Sequence, residues 1–498
     1  MTRQTIGQTA RHTLSAIDEQ RPQLKYYSLG FYGAWILLMM GGTGVVGVSF
    51  SPAALDANVL LYLYSGVPLS AVLIACGLLH GRVEPHIVHG PLVPIMSVVA
   101  SLCTAVVAGG SDVAVGHVPF ALASVGTGVG TAFLCLRLGY MYSTLDSKNV
   151  LFTTFASGIL ADLVYFTCAA IGGWLSLLFL SLMPLLSMVL ALLRREDPPA
   201  QEEEDKVPAG MLPRGFFARC ILFVAVFSMA VGISKGVSTL TIPVDVLKGS
   251  SHTSIFVTMV VLALLCSVFA VFANIRRFDI SKIYYPVIIV AALGMLLAPL
   301  MGQTLLQLQV VVVNSAYNVF ILALWCVFSN IAGQTDMSPV RVFGLGRGAS
   351  AIGTTFGQAI AVVVMAVLPG VGAFSNAIGV AFAVVILVMG IFVLDERTIS
   401  DALDKTFREE TVTVASPEAP SPELAWDAAC DRLAERCGLT AREREVLSLL
   451  GRGRTATYIA DELGISYNTA KGHIKNLYAK CGVHSRQELI DLLEDALS

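Results

Sequence analysis

Charge is what this chain has least of. Asp, Glu, Lys and Arg make up 13% of its 498 residues, about half the share of an ordinary globular domain. Together with 55% hydrophobic residues and a mean hydropathy of +0.74, that scarcity excludes a soluble globular protein and implies an integral membrane one. No Cys-x-x-Cys pair occurs among the ten cysteines, so neither a zinc site nor a disulfide framework is indicated. Cys76, Cys103, Cys135, Cys168, Cys220, Cys266 and Cys326 lie in apolar runs and Cys430, Cys437 and Cys481 near the C-terminus, and buried free thiols are the simplest reading. No small-residue cleavage site follows the first apolar run, which is full length and reads as an uncleaved span, not a signal peptide. Nothing in the pattern calls for a metal or a cofactor, or points to catalysis.

What is present in quantity is apolar helix. Stretches of the roughly 20 residues needed to cross a bilayer recur near 29–50, 59–79, 88–108, 118–140, 150–172 and 173–193, the last two meeting at Gly172 and Gly173. After the polar break "RREDPPAQEEEDKVPAGMLPR", six more follow near 216–236, 253–273, 284–302, 306–329, 349–368 and 373–394. Lys and Arg alternate across this series. Twenty of them fall in the N-terminal tail, in every second connection and after the last span, while the opposite loops hold only Lys235 and Lys248. Positive loops stay cytoplasmic, so the pattern predicts twelve spans in a plasma (inner) membrane with both termini cytoplasmic. It divides the chain into a tail over 1–28, a membrane body over 29–394, a linker over 395–423 and a C-terminal module over 424–498.

The two sets of six spans resemble the paired halves of the major facilitator superfamily of transporters, which implies an all-α, twelve-helix 6+6 bundle with a central cavity lined by spans one, four, seven and ten. The loop after span two, "HGRVEPHIVHG", departs from that family's signature, having Arg82 but no Asp in the expected place. Inside the spans, ionisable groups are costly and suggest function. Asp162 is either a ligand or proton contact, or a carboxyl held neutral by burial or bonded to a neighbouring helix. Arg137, near a span end, is expected to snorkel toward the interface. Asn314, Asn318, Ile321 and Trp325 fall on one helical face with Tyr317 beside them. Such a face either grips a small organic ligand or bonds adjacent helices through its amides. Gly126 with Gly130, and Gly353 with Gly357, read as close helix packing. "GLGRG" at 344–348 has no strand before it and reads as a cytoplasmic turn and not as a phosphate loop.

The module is different in kind. "TVTVASPEAPSPE" has the composition of a solvated linker, and "ELAWDAACDRLAERCG" reads as an amphipathic helix capped by Gly438. Thr440 and Glu443 form a capping box ahead of a helix with Val446, Leu447 and Leu450 on its apolar face. A second helix, about Ala456 to Leu463, presents Ile459, Ala460 and Leu463. After "GIS", Ser466 caps a third helix that buries Ala470, Ile474 and Leu477. This is a helix-turn-helix layout. The stretch 463–486 carries four Lys and Arg, two His and no carboxylate, although from Leu424 onward ten basic residues face eleven acidic ones. The positive charge is therefore a stripe.

Residues 439–493 resemble the LuxR-type helix-turn-helix domain of bacterial regulators, through "LTAREREVLSLLGRG", "IADELGIS" and "NTAKGHIKNLYAKCGVHSR". The resemblance implies double-stranded DNA as partner, with Thr469 and Lys471 at DNA-contacting positions and His473 at a backbone-contacting one. The residues themselves add Tyr467, Asn468 and Lys475 as groups able to reach a major groove, and Arg452, Arg454, Lys480 and Arg486 as phosphate contacts. Gly472 stands inside the third helix, and Thr455 with Tyr458 lacks the reciprocal cap common in the family. The last helix, Gln487 to Ala496, carries Leu489, Ile490, Leu492 and Leu493; in the family it supplies a dimer contact, which implies a homodimer on two-fold half-sites. The combined expectation is a membrane-tethered transcription regulator sensing a small molecule of unknown identity. The competing expectation is a secondary transporter with an accessory DNA-binding module.

Overall fold

The computed structural model describes residues 24–40, 57–109, 117–145, 147–192, 215–272, 303–367, 422–451 and 455–483, with isolated positions at 289, 485, 488–489 and 492–493. The second half of the expected first span, nearly all of the ninth, the twelfth, the linker up to 421, and Arg452, Arg454 and Arg486 lie outside the described residues. Two compact units are present, Met1–Thr406 and Phe407–Ser498, and all their described regular elements are helices.

In the first unit α1 is Ser28–Met40, α2 Ala57–Leu78, α3 His80–Val88, α4 Leu92–Gly109, α5 His117–Tyr142 and α6 Ser147–Ile171. They are followed by α7 Gly173–Ala191, α8 Phe216–Thr241, α9 Val244–Phe272, α10 Gln303–Gln334 and α11 Pro339–Val367. Among the described residues nine helices, α2 and α4 to α11, are long and apolar enough to cross a membrane. The break between α6 and α7 falls at Gly172 and Gly173, with φ of 60° and 58°. Two consecutive left-handed residues end one helix and redirect the next, which side chains with a Cβ rarely allow.

Three expectations are corrected here. The "GLGRG" segment is helical, because α11 starts at Pro339, well before the apolar run does. Ser338 caps that start, accepting from the Arg341 N–H at 3.3 Å, and Pro339 sits at the first helical position, where its missing N–H is harmless. Arg347 is consequently inside the bundle and is not a loop residue, and Lys235 likewise lies within α8. Arg137 does not snorkel: it is 1% exposed, and its Nη2 donates to the Ala191 carbonyl at 3.5 Å. The loop after α2 also holds a helix, α3, whose Glu84 accepts a hydrogen bond from the Ser338 hydroxyl at the head of α11.

Glycines let the helices meet backbone to backbone. A Cβ on Gly353 or Gly357 of α11 would lie 2.4 and 2.2 Å from the Ala225 and Met229 carbonyl oxygens of α8, and one on Gly344 would lie 2.7 Å from the Gly77 Cα of α2. At α4 and α5, a Cβ on Gly126 would meet Cys103 Sγ at 2.4 Å and one on Gly130 would meet the Met96 carbonyl oxygen at 2.5 Å. Both GxxxG pairs are thus close-packing seams, as their spacing predicts. Buried hydroxyls are satisfied locally, as where Thr104 donates to the Ala100 carbonyl at 2.7 Å while accepting from Trp35 Nε1 at 3.0 Å.

The second unit packs α12 Pro422–Cys437, α13 Ala441–Gly451, α14 Ala456–Glu462 and α15 Tyr467–Cys481 around a core of its own. Val446, Leu447, Ile459, Ala470 and Leu477 are fully buried there, with Ala460 nearly so. Gly438 and Gly464, both at φ 61°, close α12 and α14; the N–H groups of Leu439 and Ile465 bond back to the Ala434 and Ala460 carbonyls at 2.9 Å, the pattern of a Schellman cap.

Candidate nucleic-acid interface and membrane cavity

The recognition helix of the module is α15. Ser466 caps it, accepting from the Thr469 N–H at 3.1 Å, and Gly482 ends it at φ 70°. Ala470 and Leu477 face the core with Ile474 half-buried, and the small pair Ala460 and Ala470 lets α14 and α15 cross closely. The opposite face is open: Tyr467, Asn468, Thr469, Lys471 and Lys475 are exposed, and His473 is half-exposed. The Lys471 ammonium sits 5.2 Å above the Tyr467 ring, a cation–π contact that steadies it without consuming its hydrogen-bond donors.

Lys480 belongs to a different class. Its ammonium donates to Glu443 at 2.7 Å and to the Gly438 carbonyl at 3.2 Å, so it ties the end of α15 to the start of α13 while the side chain stays exposed. Glu443 meanwhile completes the capping box, accepting from the Thr440 N–H at 2.8 Å. The Lys480 ammonium, then the Thr440 N–H, hold the Glu443 carboxyl down at about 2. Because its folded value lies below its usual one, the group's contribution to stability is complete above about pH 4.5 and is lost as pH falls toward 2. Glu443→Gln should therefore flatten the acid limb of a stability–pH curve recorded on the 407–498 unit and lower its Tm at neutral pH; an unchanged acid limb would show the clamp to be energetically silent.

Gly472 is exposed, and a Cβ built on it meets nothing within 4 Å. Gly472→Ala should stabilise the free unit by about 0.5–1 kcal/mol, read as a Tm rise of several degrees in a domain this small. Leu489 and Leu493, expected at a dimer contact, are fully buried in the module's own core, with Leu492 packed against it. Thr455 caps α14 one way, accepting from the Tyr458 N–H at 3.4 Å.

Within the membrane unit a cavity of about 200 Å³ is lined from seven of the long helices and from α1. Asp162, Tyr317 and Asn318 line it, as does Asn318 a second, smaller cavity shared with Asn314. Trp325 does not line either. It is 2% exposed and belongs to an aromatic seal at one end of the bundle, with ring centroids 6.0 Å from Tyr142 and 5.0 Å from Phe343. Tyr142 extends the seal by donating to the Tyr26 carbonyl at 2.7 Å. Two cavity residues escaped the sequence reading, Lys235 and Arg347. The Lys235 ammonium is 5.0 Å from the Tyr317 ring centroid, and the Arg347 guanidinium 5.7 Å from that of Trp325, between cavity and seal. Tyr317 in turn is held by a 3.3 Å hydrogen bond with Ser350.

A polar face on a helix that follows a tight turn, set on a small helical core, defines a helix-turn-helix DNA-binding domain, here carried on a multi-pass membrane bundle. Residues 438–493 match the family of bacterial regulatory proteins of the luxR type, and the module is a LuxR-type domain. It is 54% identical over 54 residues to the probable transcriptional regulatory protein SgaR of Hyphomicrobium methylovorum, covering 11% of this chain and 26% of that one. Against the transcriptional regulator MalT of Serratia proteamaculans it is 44% identical over 59 residues, 12% of this chain and 6% of that one. The chain thus spans 26% or less of these relatives' lengths. The membrane unit is similar to the major facilitator superfamily transporter FucP in its outward conformation, with a TM-score of 0.51 and 13% identity over 75% of this chain and 98% of FucP. It is also similar to the human organic anion transporter MFSD10, with a TM-score of 0.54 and 11% identity over 77% and 99%. At these identities the likeness shows the fold alone. The chain is a LuxR-type DNA-binding domain fused to a transporter-like, multi-pass membrane region.

Proposed function

We propose that the chain is a membrane-tethered one-component transcription regulator whose membrane unit senses a small molecule. The observation that carries this reading is the pairing, on one chain, of an open polar recognition helix with an interior cavity that holds ionisable groups. Tyr467, Asn468, Thr469, Lys471, His473 and Lys475 are assigned to DNA, with Arg452, Arg454 and Arg486 as supporting phosphate contacts. Asp162, Asn314, Tyr317 and Asn318 are assigned to ligand, and Trp325 acts through Arg347 above it. The module docks as a homodimer on paired half-sites.

Both termini are assigned to the cytoplasm. Taking the buried Arg137 and the cavity-lining Arg347 and Lys235 out of the loop cations leaves eighteen against one, a bias in the direction that sets orientation. A reporter fused after Ser498 should be active only in the cytoplasm; a signal from the far side would overturn the twelve-span assignment.

Sensing requires the ligand to bind two states of the body unequally, since equal affinity shifts no equilibrium. A ligand-dependent change in operator affinity of about 5- to 150-fold corresponds to roughly 1–3 kcal/mol of coupling. Asn314→Ala, Asn318→Ala or Asp162→Asn should reduce ligand-dependent transcription while leaving operator binding by the 407–498 unit unchanged. The transporter reading is favoured by the fold and the cavity. Saturable uptake into liposomes that survives deletion after Glu410 would establish it and make the module an accessory.

A further inference from the structure

Resting on the sensor reading of this cavity, we propose that its ligand is an organic monoanion, a single carboxylate on a compact, ring-sized apolar body, with the carboxylate held by Arg347 and Lys235.

Three observations converge on this class. First, the cavity wall carries two cations, Lys235 from α8 and Arg347 from α11, against one carboxylate, Asp162 from α6. No ion pair joins Asp162 to either cation among the described residues, so the two positive groups are not neutralised by the wall itself. Second, Nε and Nη1 of Arg347 are shielded from solvent and have no hydrogen-bond partner. A contact with the Trp325 ring meets the guanidinium's charge but none of these N–H donors. Leaving buried donors of a charged group unmade is costly. Each guanidinium edge, Nε with Nη2 or Nη1 with Nη2, presents parallel N–H donors at the spacing of a carboxylate's two oxygens, so a carboxylate on either edge answers one of the orphans together with Nη2. Third, the remaining wall is mostly apolar, with hydroxyls and the Asn318 amide interspersed, and Tyr32, Trp35, Tyr62 and Ile321 stand around a space of about 200 Å³. A cavity of roughly 150 Å³ takes a benzene ring, so a ring fits and a large multi-ring body does not.

Asp162 refines the class. It is 2% exposed, with Oδ2 unpartnered, and it lines the cavity from α6. The carboxylate of a mono-acid takes both wall cations, so the second charge of a di-acid would meet no further cation among the described lining residues, and mono-acids are selected over di-acids.

The probes are benzoate and 3-phenylpropionate, their neutral counterparts benzamide and 3-phenylpropionamide, the di-acid phthalate, the cation phenethylammonium and inorganic phosphate. Each is titrated against the full-length chain in detergent, with thermal stability and tryptophan fluorescence as readouts; Trp35 and Trp325 bracket the site. The expected result is saturable stabilisation by one or both mono-acids, with the amides, phthalate and phenethylammonium at least about tenfold weaker and phosphate inert. Arg347→Gln should weaken the mono-acid by about thirtyfold or more, the range for truncating one side of a buried charge pair. Should that variant lose its monodisperse elution, Lys235→Gln and the acid-against-amide comparison on the unaltered chain carry the same test. Equal stabilisation by acid and amide, a preference for the cation, or no response to either acid overturns the anion proposal. Stabilisation by phosphate alone does the same, since it would make the site one for inorganic anions. If the amides both bind and change operator affinity, small-molecule sensing stands while the anion assignment falls. If an acid binds with the expected selectivity but leaves operator affinity unchanged, the ligand class stands and the sensor reading falls.

Discussion

Lys471→Ala and Asn468→Ala should each sharply weaken operator binding, and they should do so in different ways. Both side chains are exposed on the polar face of α15, four residues or fewer from its capped start, the part of a recognition helix that reaches base edges. If Lys471 meets phosphate, its loss lowers affinity for operator and random DNA alike and reduces the slope of log affinity against log salt by about 0.9. If Asn468 reads a base, its loss costs about 1–3 kcal/mol on the operator alone and relaxes sequence preference at one position. Salt titrations on both DNAs separate the two roles. Equal losses on specific and random sequence for both variants would sink the assignment.

Gly357→Leu should abolish the folded membrane unit. A Cβ there would lie 2.2 Å from the Met229 carbonyl oxygen and 2.8 Å from the Ile233 nitrogen, backbone atoms of α8 that cannot rotate away. The whole α8–α11 seam would have to open, because Gly353 and Gly232 meet the facing backbone just as closely, at 2.4 and 2.3 Å. Overpacking of a tight contact ordinarily costs about 1–3 kcal/mol; here the obstruction is main chain, and aggregation in fluorescence-detected size-exclusion chromatography is the expected result. Gly249→Leu in α9 is the control, since a Cβ at Gly249 meets nothing within 4 Å. A monodisperse Gly357→Leu would mean that the two helices do not pack as described.

The two units differ in how much of them the residues disclosed. In the module the informative signals are local: Thr440 and Glu443 are three apart, Gly438 directly ends its helix, and Ala470, Ile474 and Leu477 repeat at the helical period. Each constrains its own turn, and the caps and core follow. The tie from Lys480 to Glu443 was not legible because the two are 37 residues apart, and exposed-looking basic residues give no sign of a distant carboxylate. In the membrane unit, hydropathy finds the apolar part of a helix and stops where charge begins. Arg347 and Lys235 were therefore assigned to loops, and the cavity's two cations went unseen. Ser338 and Pro339 are the local signal for the longer α11, and they stand ahead of a charged stretch that hydropathy leaves out. Trp325 shares a face with Asn318 by spacing, yet two turns of helix separate the cavity from the seal, and periodicity alone gives direction without depth.

The Lys480 clamp has a consequence for control. With Ser466 fixing the start of α15, and Lys480 fastening its end to Glu443 and Gly438, the reading head is braced at both ends against bending or unwinding. A switch that cannot act on the shape of the reader must act on its supply: how many modules are free at once, and whether two are released near enough to share an operator. In that scheme the bilayer is a reservoir confined to two dimensions, and the operator affinity that a ligand changes is that of the tethered chain, set by how many heads are free to pair, while the affinity of one free head stays constant. Cutting the chain between the two units should then leave transcription permanently on or permanently off, at a level set by how much fragment is made and indifferent to whatever occupies the cavity.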